Sequence, residues 1–491
     1  MKPHRPLMSV WWLIVLMVAW PTHLAAADPQ RPNVVLIMTD NHGPWTLGCY
    51  GNQEIRTPNI DRLSREGFQF NRAFANNAVC SPTRATVLTG LTCSQHGVHR
   101  YLGAGGAQIG PGAYCTIGEF RTLPAILHDA GYTCGLSGKW HLGANLAPQA
   151  GFSYWVTKPH GGSRGFYDQE VIEDGKLRKE PSYLTDFWTA HAVRFIEQNR
   201  GEPFFLFLSY NGPYGLGQCM QEPIRNRHRA YYVEHPLKSF PAGKPHEWNF
   251  NYGNYVGDKT VARKYAAEVS GVDDGVGRVL ETLDRLKLAD NTLVIFLADQ
   301  GLSGGHSGFW GMGDHTRPLT AFDWTMSIPL ILRHPGQIPA GKSTDHVVAN
   351  YDLYPTLLNH LGLADKLPEQ PPRPGRDLLP LVRGESINWR DEMYYEFENV
   401  RAVRTEAWKY IERFKQQPNE LYDLKRDPEE LNNLVDDPQL AGQRAELKAK
   451  LDAFYDRYAD PQWDLWRGGK SKTGLMTVEL FGKAAEKQRP Q

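Results

Sequence analysis

The chain is poor in cysteine. Its 491 residues contain six, Cys49, Cys80, Cys93, Cys115, Cys134 and Cys219, and no two stand in a CxxC pair. This spacing excludes a zinc ribbon or a similar cysteine-built metal framework. An excess of either charge is also missing, because Lys+Arg and Asp+Glu both number 54. Nothing global therefore calls for nucleic acid or an anionic membrane as partner, which leaves a local site to be found. Long apolar runs are absent too: the run from Val10 to Trp20 is too short to cross a bilayer. Lys2 and Arg5 precede it and Ala25-Ala26-Ala27 follow it, the order of a secretory signal peptide over residues 1–27. No cysteine directly follows the run, so neither a lipoprotein signal nor a membrane anchor is supported. A soluble periplasmic or secreted product is expected.

What is present is a chain with 41% hydrophobic residues, enough for a large core. Apolar runs at Asn33–Met38, Pro203–Ser209 and Thr292–Ala298 read as buried parallel strands. Helical patterns lie between them. Thr57-Pro58 opens one as N-cap and first helical residue, and Gly67 closes it. Leu123–Ala130, Tyr183–Gln198 and Ala262–Leu286 give others. Strands alternating with helices predict an α/β fold with a mostly parallel central sheet. After the proline-rich stretch Leu367–Pro374, short strand patterns and a helical pattern at Ala441–Tyr458 predict a smaller antiparallel sheet with a closing helix. The expected division is a catalytic domain over residues 28–385 and a C-terminal subdomain over 386–491.

Two of the strands end in oxygen-rich pairs, Asp40-Asn41 and Asp299-Gln300. In an open α/β sheet the ligand crevice lies beyond the carboxyl ends of strands, so the pairs can converge there. Either pair alone usually marks only a polar cap or turn. Together they point to a hard cation, calcium ahead of magnesium, rather than zinc or copper. The segment Cys80-Ser81-Pro82-Thr83-Arg84 reads as a helix start. A cysteine there is either an activated thiol or a small buried residue, and the residues alone leave both open.

The C-x-P-x-R pattern of that segment resembles the signal by which type I sulfatases have a cysteine oxidised to formylglycine. The resemblance continues, in family order, through TPNIDRLSREG, CSPTRATVLTG, GKWHLG, GRVLETLDRL, NTLVIFLADQG, IPLILRHPG and ELYDLKRDPEELNNL. It implies an alkaline-phosphatase-like α/β sandwich with a small C-terminal subdomain. It also implies a formylglycine at Cys80, made by a separate maturation enzyme, whose geminal diol attacks sulfur to give a covalent sulfo-enzyme. Modified Cys80 joins Asp40, Asn41, Asp299 and Gln300 around the cation. Arg84, four residues after Cys80 on the same helical face, can hold the diol and the metal-bound carboxylates; by the same resemblance Lys139 steadies the diol and sulfate, and His141 takes the second hydroxyl proton so that sulfate is expelled. With Cys80 consumed, five cysteines remain, an odd number that supports no disulfide framework.

The chain also departs from the family pattern. NGPYG puts Tyr214 where many sulfatases carry a PHxP histidine, and Gly311-Met312-Gly313 puts methionine where many carry a GKG lysine. Asn41 stands for a common second aspartate, which lowers the negative charge of the cation site. His306, His315 and Arg317 follow Asp299 closely and are the expected substitutes, His315 as leaving-group acid and Arg317 as substrate clamp; His160 is a weaker candidate contact. An insertion at Glu222–Tyr255 mixes arginines, among them Arg225, Arg227 and Arg229, with aromatics such as Trp248, Phe250 and Tyr252, which suits a sulfated glycan as well as an exposed loop. The expected activity is hydrolysis of sulfate esters on a small molecule or glycan. The alternatives are a formylglycine-dependent phosphodiester or phosphonate monoester hydrolase, and a sulfoglycan-binding pseudoenzyme.

Overall fold

The computed structural model describes Met1 and residues 31–103, 106–415 and 418–482. The expected signal peptide, Met1 aside, lies outside the described residues. The three apolar runs form strands β1 (Asn33–Asp40), β7 (Phe204–Pro213) and β8 (Thr292–Ala298), each fully buried. They run parallel with β1 in the middle, Met38 lying level with Leu297 of β8 and Ser209 of β7. Beyond β7, strands β3 (Thr133–Gly138) and β4 (Tyr154–Thr157) continue the parallel order, and antiparallel β5 (Gln169–Glu173) and β6 (Lys176–Glu180) complete that edge. On the other side β8 meets antiparallel β10 (Leu330–Arg333), then β2 (Phe68–Phe74) and β11 (Lys342–Ala349), with the two-residue β9 (Ser327–Ile328) also against β2.

Alternation along β1 explains why its sequence is apolar throughout. Val35 and Ile37 face one core, with residues of the helices Leu184–Gln198 and Lys259–Arg285. Val34, Leu36 and Met38 face a second, with Ala85, Val87 and Leu88 of the helix Cys80–Thr89 and Ile126 and Leu127 of Leu123–Asp129. A strand covered on both faces needs an apolar side chain at every position. The result is an α/β sandwich with a mostly parallel central sheet.

The helix Pro58–Arg65 begins where expected but is not capped by Thr57, whose hydroxyl instead accepts from Gly48 N–H and donates to Asp61. Asp273, from the helix Lys259–Arg285, accepts from the free N–H groups of Asn59 and Ile60, supplying from elsewhere in the fold what a local cap usually provides.

A separate antiparallel sheet comprises β12 (Met393–Phe397), β13 (Val400–Arg404), β14 (Trp408–Arg413) and β15 (Glu420–Asp423). The helix Ala441–Tyr458 covers one face through Leu447, Leu451 and Phe454. Charged contacts join this sheet to the segment that follows β8: Arg404 and Lys409 pair with Asp323, Lys409 also holds Glu430 at 2.6 Å, and Arg413 donates to Leu319 O. The small sheet thus fixes the chain just beyond Asp314, His315 and Arg317. Among the described residues no helix is long and apolar enough to cross a membrane.

Candidate active site

The carboxyl ends of β8, β1, β7 and β3 lie side by side, so residues far apart in sequence meet. Ligand atoms of Asp40, Cys80 and Asp299 all fall within 4.8 Å of one another. Asp299 Oδ1 accepts from the N–H groups of Asn41 and Gln300, and its Oδ2 accepts from Arg84 at 2.7 Å. Asn41 has a left-handed φ of 55° and donates its side-chain N–H to Tyr214 O at 2.7 Å, while its Oδ1 contacts Gln300 Nε2. Buried Gln300 Oε1 has no partner among the described residues.

These groups fit a hard divalent cation. The donors are oxygens, one of them unsatisfied and buried, and two carboxylates share a space from which water is excluded. Burial first, and the charge of Asp40 second, push the Asp299 carboxyl up to about 6, against the pull of Arg84 and Lys139. A cation held by these residues would relieve that repulsion.

Cys80 is the first residue of its helix and Arg84 lies one turn on, so both face the strand ends. Besides Asp299, the Arg84 guanidinium donates to Lys139 O at 2.7 Å and to the Ser209 hydroxyl, leaving a buried Nε unpartnered. Burial pushes the Cys80 thiol up to about 12 despite Lys139 and Arg84, the direction of a small buried residue rather than of an activated thiol. All six cysteines are free thiols.

Lys139 follows directly on β3. A side chain at Gly138 would meet Ser209 O at 1.9 Å, and φ there is 118°, so only glycine lets the Lys139 N–H reach Ser209 O at 2.7 Å. The Lys139 ammonium pairs with Asp40, both side chains being wholly buried. Burial pulls that ammonium down, but the charges of Asp40 and its neighbours outweigh it and hold it above its usual value. His141, with φ 60°, places Nε2 2.9 Å from Leu102 O, so this nitrogen carries the hydrogen and Nδ1 is a free, buried acceptor. Burial and then Lys139 hold the imidazole far below its usual range, hence neutral.

A cavity of about 630 Å³ opens on Cys80 and His141 and is lined also by Tyr214, Met312, His315, Arg317 and His160. Tyr214 packs its ring 5.6 Å from the Lys139 ammonium, and burial keeps its phenol neutral. His315 lies 3.4 Å from Asp314 and edge-on to Tyr252. Burial lowers its pKa against the pull of Asp314.

His306, expected as a sulfate ligand, is not on this lining. Its ring stacks on Trp324 at 3.8 Å, meets Trp45 and faces Glu429, so nearness in sequence to Asp299 did not bring it to the site. The arginines early in the insertion are also elsewhere: Arg225 pairs with Asp168 and Arg227 with Asp274. Only the later part of that segment, Phe250 to Tyr252, reaches the cavity, drawn in by the Phe250 N–H to His315 O bond of 2.8 Å.

Several groups here carried no sequence signal. Arg100, Tyr101, Arg164, Asp314 and Met476 line the cavity from separate loops. Lys158 is buried, which brings it down to about 7, and holds the loop against His141 through Gly162 O at 2.7 Å.

A mostly parallel sheet carrying its reactive groups beyond the central strand ends is the build of the alkaline-phosphatase-like hydrolases. Within that class, the chain belongs to the sulfatase family of enzymes: the family model described as Sulfatase matches residues 32–363, and that described as N-sulphoglucosamine sulphohydrolase, C-terminal, matches residues 316–457. The N-acetylglucosamine-6-O-sulfatase of Bacteroides thetaiotaomicron is 26% identical over 91% of each chain. A solved structure of a protein in complex with its substrate D-glucosamine-2-N,6-O-disulfate has a TM-score of 0.69 at 25% identity, covering 87% of this chain and 98% of that one. The phosphonate monoester hydrolase of Agrobacterium radiobacter shares the fold, with TM-score 0.66 at 23% identity over 88% and 97% of the two chains.

Proposed function

We propose that the protein hydrolyses sulfate esters of sulfated carbohydrates, using formylglycine formed from Cys80 and a divalent cation, calcium ahead of magnesium. The observation that carries this reading is the convergence of Asp40, Cys80 and Asp299 within 4.8 Å, with Arg84 and Lys139 paired to the two carboxylates. Asp40, Asn41, Asp299 and Gln300 would hold the cation, which supplies polarisation of a bound sulfate oxygen. The hydrated aldehyde supplies the attacking oxygen.

The chain's own residues do the rest. Arg84 and Lys139 cancel the two carboxylates, so a divalent cation leaves the site net positive for a sulfate monoester. Both cations are buried and held by fixed partners, so they stabilise charge spread over equatorial oxygens without reorganising. His141 is neutral with Nδ1 free, the state required of a base that takes a hydroxyl proton. His315 is the leaving-group acid that replaces the missing lysine, with Asp314 beside it favouring its protonated form against the burial that lowers its pKa; Tyr214 and Arg317 contact the substrate, and Met312 contributes only shape. Export to the periplasm or outside the cell, maturation by a formylglycine-generating enzyme, and a domain division near residue 385 belong to the same proposal.

The second reading, a phosphodiester or phosphonate monoester hydrolase, is favoured by the shared fold and by a site that would serve a phosphorus centre equally. Parallel assays with nitrophenyl sulfate and a nitrophenyl phosphodiester separate the two. Sulfate turnover with the greater kcat/KM supports the first reading, and the reverse order overturns it.

A further inference from the structure

Three arginines line the cavity, Arg100, Arg164 and Arg317, against a single carboxylate, Asp314. Among the described residues none of the three forms an ion pair. Arg164 and Arg317 are exposed and Arg100 is half-buried, whereas the buried Arg84, Arg390, Arg401, Arg404 and Arg413 each hold a carboxylate. Resting on the reading above, we propose that the substrate carries a second anionic group, a further sulfate or a carboxylate, and that Arg100 and Arg164 recognise it.

The state of Arg100 argues for a ligand. Its guanidinium lies 4.5 Å over the Tyr101 ring and donates one N–H to the Tyr101 oxygen at 2.9 Å. Its Nε is buried and has no partner among the described residues. An unsatisfied charged donor inside a wall is costly unless something arrives to accept from it. Stacking on an aromatic face also leaves the edge of the guanidinium free, the edge that grips a planar or tetrahedral anion.

Arg317 is a lesser contributor. It sits 4.3 Å over Phe250 and spends one nitrogen on Asp314 O and Thr316 O, while the other meets only the Met476 sulfur. Arg164 is exposed at the opening with no hydrogen-bond or ion-pair partner among the described residues, placed to meet a group that reaches out of the cavity. Asp314 attracts Arg100 and Arg317 but forms no ion pair with either, and burial raises its carboxyl pKa against that pull. The reacting sulfate already has Arg84 and Lys139 beside Cys80, so the wall arginines are surplus to it.

The test uses the mature enzyme and four probes: nitrophenyl sulfate, a hexosamine monosulfate, the same sugar with a second sulfate, and a disaccharide in which a uronate adjoins the sulfated ring. One dianionic sugar should exceed the monosulfate in kcat/KM by about tenfold or more, the lower end of what a hydrogen bond to a charged group contributes. Arg100→Gln and Arg164→Gln should each pull that ratio towards one, as should added salt. Whichever dianionic probe is preferred identifies the group as sulfate or carboxylate. Arg164 is exposed, so its variant tests the idea even if Arg100→Gln folds poorly. A wild-type ratio near one, or equal losses on mono- and dianionic sugars in the variants, overturns the proposal. Inertness towards all four probes overturns the sulfatase reading beneath it.

Discussion

Replacing Gly161 with alanine drives a methyl group into the ring of His141. An ideal Cβ at Gly161 lies 2.1 Å from three ring carbons, whereas carbon atoms in contact sit at about 3.5–4.0 Å. The ring must therefore move on the order of 1.5 Å, or the Gly161 loop must lift by as much. Neither is free to give. The imidazole is tied to Leu102 O and rides on a left-handed backbone, and the loop is held through Lys158. A displacement of about 1 Å in a proton-transfer group can cost on the order of 100-fold in rate, and overpacking a buried site costs about 1–3 kcal/mol. Turnover of nitrophenyl sulfate by Gly161→Ala should thus fall about 100-fold, with a smaller loss in the denaturant midpoint. Turnover within a few-fold of the parent, with stability unchanged, would refute the idea that a fixed His141 ring is needed.

Chelation should abolish activity, with calcium or magnesium restoring it better than zinc, as elemental analysis and add-back assays would register. His315→Ala should depress turnover far more for a sugar sulfate than for nitrophenyl sulfate, whose leaving group departs unaided; equal losses would show that the residue donates no proton. Lys409→Met should destabilise the fold by about 3 kcal/mol in chemical denaturation, because Glu430 and Asp323 lose a buried cation. The figure sits at the low end because burial already raises Glu430 to about 8, so it can take up a proton. No change in midpoint would mean that the pair is dispensable.

How legible each part was follows from burial. Strands β1, β7 and β8 announce themselves because both faces are covered, so every position is apolar. Strands β5 and β6, QEVIE and KLRKE, lie at the sheet edge with exposed charges and lack the apolar run that marks the central strands. Strand β3, TCGLSG, is too rich in small residues to stand out, although its end positions Lys139. The convergence of Asp40, Cys80 and Asp299 was readable because each pair or motif sits at the end of one element, and strand order brings the ends together. The cavity wall was not, because Arg100, Arg164 and Met476 come from separate loops that share no spacing. His306 shows the converse error: a short sequence distance from Asp299 says nothing once a loop folds its ring onto Trp324.

The chemistry of the whole site turns on the side chain at position 80. As a thiol it is buried and held in its protonated form by its surroundings, a poor nucleophile at neutral pH. Active protein made in its native host should therefore give, for the peptide spanning Cys80, the mass in which an aldehyde oxygen replaces the sulfur and two hydrogens. Fully active protein whose peptide carries an intact thiol at position 80 would contradict the account.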